Sequence, residues 1–176
     1  MTDYREVNQL SAVDAAYIAG LIDGEGSVSL LRKHKQDNRQ LVVSVSNTER
    51  PLLEYLLTAI GAGKITGKRT YSERHTPSFA YAVTNRHALE VLRQVAPYLR
   101  TYKAERTAML LSDYVRLTPR NGKYTAAQAA ERDAFIASFF AIDPNPDQDW
   151  PGVGRGRSCA ARAHTPLPSP PTNLPC

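Results

Sequence analysis

The chain has 176 residues, of which 42% are hydrophobic and 22% charged, and its net charge is +5; that suits one globular domain with a real core. No apolar run is long enough to cross a bilayer, Met1-Thr2-Asp3-Tyr4-Arg5 does not open a signal peptide, and both cysteines, Cys159 and Cys176, sit near the end. A membrane-spanning, secreted or disulfide-framed protein is therefore not expected; a reducing cytoplasm or organelle matrix is.

The first predicted element is a helix. Ser11 is its N-cap, and Asp14 three residues on completes a capping box. Val13, Ala16, Tyr17, Ala19, Gly20 and Asp23 then recur at helical spacing. Ala16, Ala19 and Gly20 leave that face almost without bulk. A glycine inside a helix costs about 1 kcal/mol relative to alanine, so a second helix is expected to approach closely there. Gly24 and Gly26 read as a sharp exit turn with Glu25 held between them. Asp23 opposes the dipole at a helix C-terminus and calls for backbone amides from a neighbouring segment.

Two hairpins separated by a helix follow. Ser27 to Lys33 and Gln40 to Ser46 alternate around the polar loop 34–39. Arg50 to Ile60 reads as a helix with Leu52, Leu53, Leu56, Leu57 and Ile60 in one stripe, ended by Gly61. Lys64 to Tyr71 and Ser78 to Thr84 form the second strand pair. One sheet face is apolar, with Leu41, Val43 and Val45, then Phe79, Tyr81 and Val83. The other carries Ser29, Lys33, Gln40, Ser44, Ser46, Lys64, Thr66, Lys68 and Thr70.

Charge is concentrated on this segment. Between Val28 and Arg86 ten Lys/Arg stand against four Asp/Glu, a local +6, so the rest of the chain sums to −1. A basic patch on one element is the footprint of a polyanion. Long basic and short polar side chains on an open sheet suit the major groove of double-stranded DNA. Lys and Arg reach guanine edges or phosphates, Gln pairs with adenine, and Ser and Thr are permissive. Lys35, Arg39, Arg74 and His75, in the loops, are placed as phosphate contacts. A solvated antiparallel face alternates in the same way; the charge asymmetry favours DNA.

Three further helices are predicted: Arg86 to Ala96, Tyr102 to Leu117 and Ala126 to Ala141. They read as core-covering and carry no obvious chemistry. The order gives an α+β fold with an antiparallel sheet open on one side. Residues 1–143 make one domain. From Pro144 to Cys176 lie eight of the 12 prolines with Gly152-Val153-Gly154-Arg155-Gly156-Arg157, a tail expected to be disordered.

The string Ile18-Ala19-Gly20-Leu21-Ile22-Asp23-Gly24-Glu25-Gly26 resembles the signature of the LAGLIDADG homing endonucleases. It departs from that signature at Ile18, Gly24 and Glu25, and Glu25 preserves the carboxylate. The likeness runs from about Ala15 to Asp143 and implies the αββαββα architecture. It implies that Glu25, with Gly24 beside it, binds the catalytic divalent metal, Mg²⁺ or Mn²⁺. It also implies that Asp23 caps across a helix interface, that Asn47 orders water near the metal, and that Lys103 (or Arg100) approaches the scissile phosphate. Arg50 is either an auxiliary cation or a surface residue at a helix start.

The motif occurs once. One glutamate is too few to cut two strands, and Ile136 to Asp143 lacks the glycines and terminal acid of a second copy. A homodimer with Ala16, Ala19, Gly20 and Asp23 at its interface is expected, cutting a palindrome or near-palindrome. The alternative is a nucleic-acid binder without cleavage, such as a maturase of intron RNA or a DNA-binding regulator. A scaffold with a merely solvated sheet is the third reading.

Overall fold

A computed structural model describes residues 6–35, 37–68, 76–119 and 122–144. Its elements run α1 (Ala12–Glu25), β1 (Gly26–Leu31), β2 (Gln40–Asn47), α2 (Arg50–Ile60), β3 (Lys64–Gly67), β4 (Phe79–Thr84), α3 (Asn85–Val95), a 3-10 turn (Ala96–Tyr98), α4 (Tyr102–Asp113) and α5 (Ala126–Ala141). This is the expected α+β order, αββαββα followed by two further helices. None of the described helices is long and apolar enough to cross a membrane.

The strands form one antiparallel sheet in the order β1-β2-β4-β3. Val28 pairs with Val43, and Val43 with Val83; Leu30 pairs with Leu41. Since side chains alternate between faces, this register stacks Val28, Leu30, Leu41, Val43, Val45, Tyr81 and Val83 on one side. There they meet Ala15, Ile18, Ala19 and Ile22 of α1, Leu53, Leu56 and Ile60 of α2, and Ala88, Leu89, Leu92 and Val95 of α3 in one buried core. Each fully buried Leu or Ile contributes roughly 2 kcal/mol relative to exposure. The opposite face holds Ser27, Ser29, Leu31, Gln40, Val42, Ser44, Ser46, Lys64 and Thr66, none of which belongs to that core.

Several local expectations are refined. Strand β1 stops at Leu31, so Lys33 belongs to the connection and not to the strand. Strand β3 stops at Gly67, although the Lys68 amide still donates to the Ser78 carbonyl at 2.8 Å. Ser11 caps α1, but not through a capping box: its hydroxyl accepts from the Asp14 amide and donates back to the Asp14 carboxylate at 2.7 Å. The reciprocal box is at α5, between Thr125 and Gln128.

The exit from α1 is tighter than a turn. The helix runs through Gly24 and Glu25, and β1 begins at the next residue. Gly26 is extended, so it needs no unusual backbone angle. It needs space: a Cβ there would lie 2.6 Å from the Ile22 Cα and 2.8 Å from the Ile22 carbonyl oxygen.

Candidate functional site

The end of α1 is held by the start of α4. Asp23 accepts hydrogen bonds from the Arg100 amide at 2.7 Å and from the Thr101 hydroxyl at 2.6 Å. Thr101 is itself the N-cap of α4. A carboxylate that is misplaced at its own helix C-terminus thereby sits beside another helix's N-terminus, where negative charge is favourable. Its compensation comes from within the chain.

Lys103 completes this joint. Its ammonium donates to the Ile22 carbonyl, which also accepts the Gly26 amide, at 2.7 Å and to the Asp23 carbonyl at 2.9 Å, at the C-terminal end of α1. It is only 5% exposed, and burial pushes its pKa down, against the pull of the Asp23 carboxylate. The side chain expected at the scissile phosphate is therefore turned to the back of the motif. Its burial follows from the stripe Lys103, Thr107, Leu110 and Tyr114, which α4 and its last turn lay against the core.

Glu25 projects from this joint and is exposed. With Ser46, Asn47, Thr48 and Ser78 it lines a depression of about 300 Å³ at the end of the sheet. Glu25 and Asn47, distant in sequence, are thus brought together, while Lys103 stays behind the helix tip. Asn47 also forms a turn: its Oδ1 accepts from the Glu49 amide at 2.8 Å. What it can offer the depression is its NH₂, a donor.

The donor set there is all oxygen. Among the described residues no group of three His, Cys, Asp or Glu is placed to hold a metal. One carboxylate with hydroxyl neighbours suits Mg²⁺ or Mn²⁺, hard cations that bind oxygen and keep much of their water. Gly24 lies exposed beside Glu25, and a Cβ added to it would meet nothing within 4 Å.

The open sheet face is mostly short side chains. Across the strands run the rows Ser27, Ser44, Ala82 and Lys64; Ser46, Ala80 and Thr66; and Ser29, Val42 and Thr84. The long cations stand around it: Lys33, Lys35 and Lys68 are exposed, as is Lys64 on the edge strand. Among the described residues none of these four lysines is ion-paired; the pairs present are Arg50–Glu54, Arg93–Glu90, Arg116–Asp113 and Arg116–Glu131. Arg50 is thus held by a helix neighbour. Thr70, Arg74 and His75 lie outside the described residues.

Arg39 is placed differently from the loop role expected of it. It donates to the Leu30 carbonyl at 2.9 Å and lies 4.8 Å from the Phe140 ring centre. Arg106 donates to the Val28 carbonyl at 3.2 Å and to the Ile142 carbonyl at 2.9 Å, and its guanidinium lies 4.8 Å from the Phe139 ring centre. Arg132, only 6% exposed, donates to the carbonyls of Leu117 and Arg39. The two last helices, read as bare covering, therefore clamp β1 and its loop. The legible signal was a lone arginine within each apolar stripe, Arg132 three residues before Phe135 and Arg106 beside Thr107.

The first helix also differs from its expected layout. Ala19 is fully buried in this chain's own core, and Asp23 faces α4, so neither lies on the outer face. The outer face is Val13, Ala16, Tyr17, Gly20 and Gly24, all exposed. Val13 is 78% and Tyr17 50% exposed, and a Cβ at Gly20 would meet nothing within 4 Å.

The family model of the LAGLIDADG-like domain matches residues 12–95. The fold is that of the LAGLIDADG homing endonucleases. Solved structures of similar fold include the homing endonuclease I-CvuI in complex with its target in the presence of Ca. It is 16% identical, with a TM-score of 0.62 over 75% of this chain and 83% of that one. I-CvuI with the I-CreI target in the presence of Mg, its DNA not cleaved, gives 16% identity and a TM-score of 0.61 over 77% and 85%. The archaeal intron-encoded I-Vdi141I complexed with DNA gives 17% and 0.52 over 78% and 89%. No curated protein matches the chain in sequence.

Proposed function

We infer that this chain is a divalent-metal-dependent DNA endonuclease that acts as a two-fold pair and cuts both strands of a palindromic or near-palindromic site. The observation that carries the reading is the placement of Glu25, exposed at the tip of a pinned helix and sharing a depression with Asn47 where an open, lysine-rimmed sheet ends. The structural relatives bound to DNA, with Ca or Mg present in two cases, support the same ligand and cofactor class.

In this reading Glu25, with Gly24 at its side, holds Mg²⁺, which when bound supplies an activated water and charge neutralisation at the leaving oxygen. Asn47 donates from its NH₂ to order water in the depression. Lys103 is a positioning residue: it fixes the last carbonyls of α1 and so the direction in which Glu25 projects. Ser29, Gln40, Ser44, Ser46, Lys64 and Thr66 face the groove, and Lys33, Lys35 and Lys68 take phosphates.

The pair is required because a single carboxylate serves a single strand. What supports it is the unexplained glycine of α1. Gly20 has no neighbour within its own chain to exclude a side chain, yet a helical glycine is disfavoured by about 1 kcal/mol. A second copy packed backbone to backbone along Val13, Ala16, Tyr17, Gly20 and Gly24 accounts for it and brings the two Glu25 side chains near one axis.

The direct test is Glu25→Gln. The variant should lose cleavage of a selected target in Mg²⁺ by several orders of magnitude while binding it with wild-type affinity. A variant that still cuts removes Glu25 from the chemistry, and a wild-type protein that binds but never cuts favours the cleavage-free binder.

A further inference from the structure

At the far end of the sheet, away from Glu25, a backbone amide and three side chains form a connected polar relay. The Leu41 amide donates to the Tyr114 hydroxyl at 3.0 Å, and that hydroxyl donates to Asn85 Oδ1 at 3.2 Å. The Asn85 NH₂ then donates to Gln40 Oε1 at 3.3 Å. Asn85 is the one described non-glycine residue with a positive φ, +54°. That conformation costs energy in most residues and is tolerated best by asparagine. Burial raises the pKa of Tyr114, so it stays a hydroxyl and keeps the relay's direction.

The direction matters because Asn85 can only present its NH₂ to Gln40 once its oxygen is engaged by Tyr114. Gln40 must then turn Oε1 toward Asn85. The side chain is left with a fixed orientation, one spare lone pair on Oε1 and both amide hydrogens. Directly across the strands, Leu31 pairs with Gln40 on the same open face and is 46% exposed. Val42, diagonal to Leu31 on the same face, also lies outside the core cluster.

An oriented amide beside an exposed apolar side chain matches one base pair better than any other. In the major groove adenine offers N7 and its N6 amino group to a glutamine, and its partner thymine offers a methyl group next to them. Opposed strand residues stand about 5 Å apart, close enough to address the two halves of one pair. We propose that Gln40 and Leu31 together read a single A·T pair, with Tyr114 and Asn85 as positioning residues that set the face Gln40 presents.

This assignment rests on the DNA-binding reading above and adds a sequence and a place to it. Leu31 lies five residues beyond Gly26, roughly 16 Å along the strand. At about 3.4 Å per base pair, the A·T pair falls roughly four to six base pairs outward of the cut.

The test uses the full-length protein, a randomised double-stranded DNA library and Mg²⁺, with both bound and cut molecules sequenced. Wild type should favour A·T at one such position in each half-site by roughly tenfold or more. Gln40→Ala should flatten that position alone, and Gln40→Arg should move it toward G·C. Asn85→Gly, which keeps the backbone conformation, should relax the preference while leaving total binding intact. An enriched target whose profile is identical in wild type and Gln40→Ala overturns the assignment and leaves the nuclease standing. A library with no enriched sequence overturns the DNA reading itself, and the assignment with it.

Discussion

Lys103 concentrates the difference between residue type and residue role. A lysine near the motif's acids invites a phosphate, yet its position in the stripe Lys103, Thr107, Leu110 and Tyr114 buries it. There it serves the carbonyl oxygens of Ile22 and Asp23. A charge-assisted hydrogen bond is worth roughly 1.5–3 kcal/mol, and a cation suits a helix C-terminus. Lys103→Met should therefore lower unfolding free energy by about 1–3 kcal/mol in urea titration at neutral pH. Unchanged stability would mean that water replaces the ammonium and that the helix tip is not held from behind.

At the scale of elements, α1 is a helix with two apolar sides, and only one is satisfied by its own chain. Ala15, Ile18, Ala19 and Ile22 are buried, while Val13, Ala16, Tyr17 and Gly20 are open. A helix apolar all round belongs in an interior, so the outer side calls for a partner. A Cβ at Gly20 meets nothing within 4 Å, so Gly20→Leu should leave the helix intact or firmer. It should nonetheless shift sedimentation from dimer to monomer at micromolar concentration. A variant that remains dimeric would place the interface elsewhere.

The elements also separate what a sequence discloses from what it withholds. The alternation of Leu41, Val43 and Val45 and the stripe of Leu53, Leu56 and Ile60 are periodic, so strand and helix were legible to within a residue or two. The inner and outer sides of α1 were not, because both are small and apolar and periodicity cannot rank them. Glu25 and Asn47 were legible one by one; that they share a depression depends on β2 lying beside β1. Arg39 read as a phosphate contact, and Arg106 and Arg132 lay in helices that read as bare covering. Only the packing of α5 turns them inward.

For the whole molecule the decisive quantity is where charge is left unpaired. The described ion pairs lie on the helices and the turn after α4, whereas Lys33, Lys35, Lys64 and Lys68 rim the open sheet with none. If each neutralises a phosphate, binding should weaken by about 0.9 log units per log unit of salt for every contact. Titration with duplex DNA from low to moderate salt should thus give a steep line, and charge-to-alanine changes at these lysines should each reduce its slope by about one. A flat line would reduce the sheet to an ordinary wet surface.

The arginine clamps on β1 have one more effect. β1 is an outer strand of the sheet, and Val28 and Leu30, two residues apart, turn their carbonyls to the same side. Arg106 and Arg39 occupy both. An unguarded strand of this kind is a template for another chain's backbone, and repeated pairing there grows without end. With those acceptors taken, and β3 at the other rim only four residues long, sheet extension is discouraged at both margins. In the proposed two-fold pair, contact through the self-complementary helix face closes after two. The same guanidiniums that fix β1 in the sheet thereby also guard its free edge.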